Sequence, residues 1–358
     1  MTITEIELHA FKSFPHRAIK FKPLTLLAGL NNSGKSSVIQ ALRMYCNSVH
    51  GTSTLLEGHG TVKEDLRSKF SPPSDPIQIT CHYSDDENYF LRLDDTTLVT
   101  PIKAPPVYCY IGADRLGPQT SLPLLRSLGA FPQIGYKGEY VLDFLQKLEN
   151  SIVPDALIHE KAEGKTLAFV VEGWLNEISP GVDFKYQTNP KTDSAYAEID
   201  GFRPANVGYG LSYTLPILVA ILGMSAKAPV AGWEESWGEA WDAQKRDNGV
   251  LVILENPEAH LHPQGQTAMG KLIALAAACG VQIVVETHSD HLMDGIRIAV
   301  KEQKIAADKV AFQYFTKKPD EPSKVVSPLL HENGKLDFWP EGFFDQTLKN
   351  RAILARKG

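Results

Sequence analysis

The sequence lacks any apolar run long enough to cross a membrane. A transmembrane helix needs about 20 consecutive apolar residues, whereas the longest candidates, 215–222 and 272–278, are far shorter. The opening residues MTITEIELHAFKSF alternate apolar and polar side chains, without the basic start or continuous apolar stretch of a secretory signal. We therefore expect a cytoplasmic protein with no membrane span of its own.

The sequence also has few cysteines and no net positive charge. The four cysteines, at positions 46, 81, 109 and 279, are widely spaced and form no CxxC pair, which predicts reduced thiols in the cytosol. There are 36 Lys and Arg against 42 Asp and Glu, a net charge of −6. Whole-chain charge therefore gives no argument for nucleic-acid binding, although a local basic face stays open.

Hydrophobic periodicity predicts an α/β protein. We found no repeat, no low-complexity tract and no heptad run. Apolar strand patterns occur at 3–8, 18–21, 24–28, 77–83, 89–93, 107–111, 250–254 and 281–285, and helical patterns at 35–47, 138–150, 166–178, 211–224, 263–278 and 290–301. Because strands alternate with helices over much of the chain, we expect a mixed or parallel sheet with helices packed on it.

A glycine-rich segment with the pattern G-x-x-x-x-G-K-S lies between a predicted strand and a predicted helix. GLNNSGKSS begins at Gly29, and its glycines allow a ring of backbone N–H groups to close around a phosphate. Lys35 would reach the β- and γ-phosphates, and the Ser36 hydroxyl would bind Mg²⁺. The alternative is an ordinary glycine-rich turn, but the strand–loop–helix context favours ATP and Mg²⁺ binding.

Two carboxylates follow a buried strand in VLVILENPEAHLHP. Glu255 ends the strand and is placed to bind magnesium, directly or through water. Glu258, three positions on, is a candidate base for activating water. The alternative is an acid at a helix start near Pro257, stabilised by the helix dipole.

A histidine follows the next strand, in VQIVVETHSDHL. His288 could contact a γ-phosphate and report its presence, because an imidazole changes its donors reversibly near neutral pH. Two alternatives stay open: a satisfied buried histidine, and a metal site built from His260, His262, His288 and His291.

The segment NVGYGLSYTLPI opens an apolar helix with small residues. Gly208, Gly210 and Ser212 would expose N–H groups and a hydroxyl at a helix N-terminus, which is an anion site. Such turns are common, so the segment is a weak indication by itself.

Three tryptophans recur every fourth residue between that helix and the acidic strand. On a helix, Trp233, Trp237 and Trp241 would share one face. One interpretation is packing against their own domain. The other is a docking patch for an effector or a second subunit.

Taken in order, these elements resemble the nucleotide-binding domain of ABC-type ATPases of the SMC, RecF and OLD group. YIGADRLGPQ, ENPEAHLHPQGQ, ETHSDHLMDGIRIAV and GKLDFWPEGFFDQ are similar to one subfamily of predicted ATPases with a short C-terminal domain of unknown function. The resemblance implies an α/β P-loop NTPase fold with a mixed central sheet, an antiparallel β subdomain and a helical lobe. The sequence departs from the SMC pattern in having no long coiled coil, so we expect no coiled-coil arms. It places the ATPase domain at 1–324, with the lobe inserted at about 120–225, and the short domain at 325–358.

The resemblance also assigns roles to residues. Those that would line the phosphates are Gly29, Asn31, Asn32, Ser33, Gly34, Lys35, Ser36 and Ser37. Gly208, Gly210 and Ser212 would contact the nucleotide of a second copy. Magnesium would be held by Ser36 and Glu255, with Gln119 or Asp114 linking it to the helical lobe. Lys35, Glu258 and His288 would be catalytic.

One departure from the family pattern bears on catalysis. Asn256 stands where the catalytic glutamate usually follows the magnesium carboxylate, and an amide cannot accept the proton of the attacking water. We therefore expect slow hydrolysis, or a base supplied by Glu258. The resemblance implies an ATP-sandwich homodimer that regulates a separate effector, as in bacterial antiphage defence. The alternatives are a RecF-like DNA-repair ATPase and, with less support, a nuclease.

Overall fold

The fold was analysed in a computed structural model that describes residues 1–48, 56, 61–93, 98–99, 105–125, 131–206 and 209–355. The strands, in chain order, are β1 (Ile3–Phe11), β2 (Phe14–Lys20), β3 (Leu24–Gly29), β4 (Ile77–Tyr83), β5 (Asn88–Leu93), β6 (Leu98–Val99), β7 (Val107–Ile111), β8 (Leu122–Pro123), β9 (Ser151–Ile152), β10 (Phe184–Asn189), β11 (Ser194–Ile199), β12 (Lys227–Pro229), β13 (Val250–Glu255), β14 (Gln282–Glu286), β15 (Val310–Thr316) and β16 (Lys324–Val326). The helices are α1 (Lys35–Ser48), α2 (Val141–Leu148), α3 (Leu167–Ile178), α4 (Tyr209–Ser225), α5 (Trp237–Asn248), α6 (Pro263–Ala278), α7 (Asp290–Lys301) and α8 (Gln346–Leu354).

The chain divides into two compact units. The N-terminal unit comprises Ile3–Pro105, Glu286–Asp290 and Ala307–Gly358. The middle unit comprises Met1–Thr2, Pro106–Val285 and His291–Ala306. Because segments of the two units alternate along the sequence, each unit is assembled from parts of the chain that are distant in sequence.

The N-terminal unit contains an antiparallel sheet and a parallel strand pair. The antiparallel sheet has the order β2-β1-β4-β5-β6, and β1 meets β2 across a tight turn in which Phe11 pairs with Phe14. Separately, β15 pairs in parallel with β3 and antiparallel with β16, so this part of the sheet is mixed. Five of the six positions of β3 are buried, which fits its mostly apolar sequence, LTLLAG.

The middle unit combines helices with short sheets. Strand β13 pairs in parallel with β7, and Val250 lies opposite Val107. A three-stranded antiparallel sheet has the order β10-β11-β8, and β9 pairs with β12. Helix α4 has a buried run from Ile217 to Leu222, so it has no solvent face there and functions as a core helix of the unit.

The structure confirms most of the expected elements, changes the bounds of some and adds others. Helices α6 and α7 and strand β7 have the expected bounds. The hairpin of β10 and β11 was not anticipated from the sequence. Helix α5 begins at Trp237, so the expectation of one helix carrying all three tryptophans was wrong for Trp233.

Helix length bears on two expected absences. The longest helix in the described part of the chain is α4, with 17 residues, so the described residues contain no long coiled-coil arm. Within the same residues, no helix is both long and apolar enough to cross a membrane.

Candidate functional site

The loop between β3 and α1 has a backbone that only particular residues can adopt. Gly29 and Gly34 have φ of 143° and 108°, and Asn32 has φ of 61°. A Cβ atom on Gly29 would lie 2.3 Å from the carbonyl oxygen of Phe315, and one on Gly34 would lie 2.7 Å from the Phe14 ring. The two glycines are therefore required by both conformation and space, and together they shape an open, N–H-lined turn before α1.

Lys35, the first residue of α1, is folded back onto this loop. Its ammonium group donates hydrogen bonds to the carbonyl oxygens of Gly29 at 2.9 Å and Leu30 at 3.0 Å. The side chain is only 3% exposed, and its Nζ lies 3.5 Å from Oε1 of Glu286. Burial lowers the pKa of Lys35, and the Glu286 carboxylate opposes that shift. The ammonium is thus held at the loop by contacts that a phosphate group could replace.

The end of β14 supplies two side chains to the same unit. Thr287 continues the strand by donating its backbone N–H to the carbonyl oxygen of Leu27 at 3.2 Å. Glu286 therefore reaches Lys35, and His288 follows two residues later, before α7 begins. Burial and, to a smaller extent, the charge of Lys35 lower the pKa of His288. We expect the imidazole to be neutral at pH 7, since its ordinary pKa is about 6.5.

A pocket of about 470 Å³ opens beside the loop, within the N-terminal unit. Its lining includes the predicted phosphate-binding residues Asn32, Ser33, Gly34, Lys35, Ser36 and Ser37. The volume lies in the range of small-molecule sites, about 300–1,000 Å³. The N-terminus of α1 adds unpaired N–H groups and its positive dipole end, so the pocket can receive an anion.

A second group of predicted residues lies in the middle unit, around the end of β13. Glu255 closes the strand, and its Oε1 accepts a hydrogen bond from the Tyr110 hydroxyl at 3.2 Å. Buried Arg115 donates to the backbone carbonyl oxygens of Glu255 and Asn256, both at 2.7 Å. Arg115 therefore fixes the backbone at the end of β13, from which the Glu255 carboxylate projects.

Asn256 occupies an unusual backbone position after Glu255. Its φ is 45°, a left-handed conformation that asparagine tolerates better than other side chains do. Its Oδ1 atom is buried without a hydrogen-bond partner among the described residues. Glu258 follows in the same turn, where its backbone carbonyl accepts a bond from Leu261 N at 3.0 Å. The Glu258 charge also opposes the burial that lowers the pKa of Arg115.

The start of α4 packs against this turn. The Tyr213 ring lies 4.5 Å from the His260 ring and 5.3 Å from the guanidinium carbon of Arg115. A Cβ on Gly210 would lie 3.5 Å from the His260 carbonyl oxygen, an ordinary contact distance, so the start of α4 lies directly beside this turn. Gly208 lies outside the described residues. The start of α4 and the turn after β13 are therefore in contact through Tyr213, His260 and Arg115, all in the middle unit.

The two candidate links to magnesium have different surroundings. Gln119 and Ser212 line the same apolar crevice of the middle unit. Asp114 is 65% exposed and forms an ion pair with Lys137 at 3.3 Å. Asp114 is thus paired with Lys137 on the surface, whereas Gln119 lines the same crevice as Ser212 at the start of α4.

The structure also bears on the rival interpretations. Among the residues that the structure describes, no group of three or more His, Cys, Asp or Glu side chains could hold a metal ion, which is against the four-histidine site. Trp237 and Trp241 are 5% and 1% exposed. Trp233 packs its ring 5.1 Å from that of Trp237, and its Nε1 donates to Asp242. Packing within their own unit is therefore confirmed for Trp237 and Trp241.

Sequence reasoning missed Glu286 and Arg115 as members of these sites. Both lie inside segments that were already singled out, ETHS and YIGADRLGPQ. For Glu286, the available signal was a charged residue directly before Thr-His. For Arg115, it was a charged residue between two glycines. The meaning of each signal depends on partners distant in sequence, which no local pattern reveals.

The fold and the glycine-rich loop together define the class of P-loop ATPases. The sequence pattern of the AAA ATPase domain family matches residues 1–163 and 158–293, and the chain belongs to that family. Residues 305–354 match a second family, described as a protein of unknown function (DUF3696). No curated protein matches the sequence.

Several solved structures are similar to the chain at low identity, and the first of those described here supports the fold. One is an SMC head domain with an extended coiled coil, bound to the C-terminal domain of ScpA from Pyrococcus furiosus, with 13% identity, 99% of each chain covered and a TM-score of 0.53. Another is an SMC head bound to the C-terminal winged-helix domain of ScpA, with 15% identity, 93% of this chain and 99% of that chain covered, and a TM-score of 0.48. A third is the recombination mediator RecF in the RecFOR pathway, with 10% identity, 88% and 96% covered, and a TM-score of 0.44.

Proposed function

We propose that this protein is an ATP-switched regulatory subunit that binds Mg-ATP and hydrolyses it slowly. The observation that carries the proposal is the buried ammonium of Lys35 at the mouth of a pocket lined by the loop that starts at Gly29. In this role, the loop amides and Lys35 bind the β- and γ-phosphates, because they supply donors and positive charge, and a phosphate carries more negative charge than the Glu286 carboxylate that it would displace from Lys35.

The remaining residues take the roles that their chemistry fits. Ser36 and Glu255 would hold Mg²⁺, and Gln119 would link it to the helical lobe; when bound, the ion neutralises charge on the phosphate oxygens. Neutral His288 would donate to the γ-phosphate. Glu258 would accept the proton of the attacking water in place of Asn256.

ATP binding is tested by calorimetry on the wild type and on Lys35→Ala and Ser36→Ala. We expect Lys35→Ala to abolish measurable binding and Ser36→Ala to weaken only the Mg²⁺-dependent part. Lys185→Ala is the matched control, because Lys185 is 70% exposed on a hairpin of the middle unit. Wild-type protein that binds no ATP would remove the proposal entirely.

We further propose that ATP joins two copies of the chain. Gly208, Gly210 and Ser212 would contact the nucleotide held by the other copy, since a helix N-terminus with small residues favours close approach of an anion. Sedimentation of the Glu258→Gln variant with and without ATP tests this. We expect a dimer only with ATP, and Ser212→Arg should block it while leaving ATP binding to each copy intact. Dimerisation of Ser212→Arg would contradict the assignment.

The proposed output is control of a separate effector in antiphage defence. The support for it is the resemblance to ATPases coupled to such effectors. Co-purification with the products of neighbouring genes, with and without ATP, together with plaque counts for the wild type and Lys35→Ala, tests it. Stimulation of hydrolysis by DNA, without any bound effector, would favour the RecF-like alternative instead.

A further inference from the structure

The pocket beside the loop extends past the residues that a triphosphate needs. Beyond the loop and α1, its lining continues through the turn after β1 to Arg67, Lys69 and Phe70. Among the lining residues, those from Asn32 to Ser37 are the ones assigned above to the phosphates. The rest of the pocket is therefore available to the nucleoside part of a bound nucleotide.

The segment that carries Phe70 is fixed against β1. Lys12 donates its backbone N–H to the Leu66 carbonyl oxygen at 2.7 Å, and Ser68 donates to that of Ala10 at 2.9 Å. Phe11 and Arg67 form an isolated β-bridge, and the Phe70 N–H bonds to the Ser68 hydroxyl at 3.3 Å. The first two hydrogen bonds make up the β-bridge and the third joins Phe70 to Ser68, so three contacts determine the position of Phe70 before any ligand binds.

Phe70 brings an aromatic surface to an otherwise polar pocket. Among the described lining residues, Phe70 is the aromatic one, and its side chain is partly exposed. The Lys69 ammonium lies 5.2 Å from the ring centroid and is itself paired with Asp320 at 2.9 Å. A flat apolar ring at the edge of a cationic phosphate pocket is the combination that a nucleotide base requires, since every base has a π-face.

We propose that Phe70 is the surface against which the base of the bound nucleotide stacks, and that the anchored segment 66–70 positions it. The inference rests on the proposed nucleotide binding at the loop and adds the nucleoside subsite. The acidic residues Glu64 and Asp65 also line the pocket and can accept hydrogen bonds from a ribose hydroxyl or an exocyclic amine.

The test separates the nucleoside from the phosphates by comparing ATP with inorganic tripolyphosphate. Binding of each ligand is measured calorimetrically for the wild type, Phe70→Ala and Phe70→Trp. We expect Phe70→Ala to weaken ATP binding about tenfold and to leave tripolyphosphate binding unchanged. Phe70→Trp should retain ATP affinity because it keeps an aromatic face.

Phe90→Ala is the matched control, since Phe90 is a 41% exposed phenylalanine of the same unit that does not line the pocket. An equal loss of ATP and tripolyphosphate binding in Phe70→Ala, or no loss of either, would overturn the subsite. If the wild type bound neither ligand, the proposed function would fall and the subsite with it. If it bound both equally well and Phe70→Ala changed nothing, only the subsite would fail.

Discussion

Oε1 of Glu286 lies 3.5 Å from Nζ of Lys35, and the two side chains are 9% and 3% exposed. A buried ammonium is costly unless an opposite charge lies nearby. Glu286 supplies that charge. The carboxylate therefore favours the charged form of Lys35 and holds it in place, at a position for which a γ-phosphate would compete under the proposed function.

The first prediction follows from this pair. Glu286→Gln should lower the free energy of unfolding by about 3 kcal/mol without nucleotide, because it leaves a buried charge uncompensated. Mg-ATP should stabilise the variant more than the wild type, since the phosphates would replace the missing carboxylate. Urea unfolding with and without Mg-ATP measures both effects.

Glu302→Gln is the control for the first prediction. Glu302 pairs with Lys271 at 3.7 Å on the surface, where the side chains are 48% and 39% exposed. Such a pair contributes about 0–1 kcal/mol. A Glu286→Gln variant as stable as this control, or stabilised by Mg-ATP no more than the wild type, would contradict the role given to Glu286.

The second prediction concerns the titration of His288. Its pKa should lie below the ordinary value because burial and the Lys35 charge both disfavour the imidazolium. In Lys35→Met the pKa should rise but stay below that value, because burial, the larger cause, remains. Imidazole proton shifts in NMR, followed from acidic to neutral pH in the wild type and in Lys35→Met, measure it. An unchanged pKa in Lys35→Met would show that the two groups are not coupled.

The sign of the stability change follows from the same shift. Between the folded pKa and about 6.5 the unfolded chain carries a proton on His288 that the folded chain does not. The His288 contribution to stability is therefore fully present above about pH 6.5. It decreases as the pH falls through that window.

Strong local signals explain why much of the fold could be predicted from the sequence. Helix α6 begins at Pro263, a residue suited to the first turn because its missing N–H is not needed there. Strand β13 is a pure apolar run that ends at a charged residue. The hairpin of β10 and β11 was missed because its strands, FKYQTN and SAYAEI, are mostly polar and partly exposed, so their alternation is weak.

The site was predictable only where its chemistry is contiguous in sequence. The loop from Gly29 to Ser37 carries its own signature, and Glu255 stands at a recognisable strand end. Arg115 contacts the Glu255 carbonyl across 140 residues of sequence. Glu286 likewise meets Lys35 only because β14 ends near the loop. Such partners depend on tertiary structure, and one sequence alone contains no pattern for them.

The third prediction concerns Lys245, whose ammonium lies 4.0 Å from the Trp241 ring centroid and 3.5 Å from Asp242. Burial lowers the pKa of Lys245 to about 8, although Asp242 opposes the shift. Between about pH 8 and the ordinary lysine value, the unfolded chain binds a proton that the folded chain lacks. This residue should therefore make the folded state more stable as the pH rises through that window.

Competitive acylation at increasing pH measures the pKa of each lysine. We expect the acylation rate of Lys245 in the folded protein to follow a pKa of about 8. Lys185, held by Asp183 at 2.7 Å, should titrate above the ordinary lysine value. Equal apparent pKa values for Lys245 and Lys185 would contradict the prediction.

The fourth prediction separates the two residues that follow Glu255. Asn256→Glu introduces the carboxylate that the sequence resemblance leads us to expect here, but it also forces a glutamate into a backbone with φ of 45°. Asn256→Gly accepts that backbone without strain, so Asn256→Glu should be less stable than Asn256→Gly by about 1 kcal/mol. Thermal unfolding of the two variants measures this difference, which must be known before their ATPase rates are compared.

The same variants decide which group activates water. If Glu258 is the base, Glu258→Gln should lower the turnover number by about 10²-fold or more, with little change in ATP affinity. Asn256→Glu should then raise turnover, because a second carboxylate would stand one residue beyond Glu255. Single-turnover hydrolysis, compared with calorimetric ATP affinity, separates chemistry from binding. Turnover that is unchanged in Glu258→Gln and increased in Asn256→Glu would remove Glu258 from the mechanism and leave the wild type with no carboxylate base in this turn.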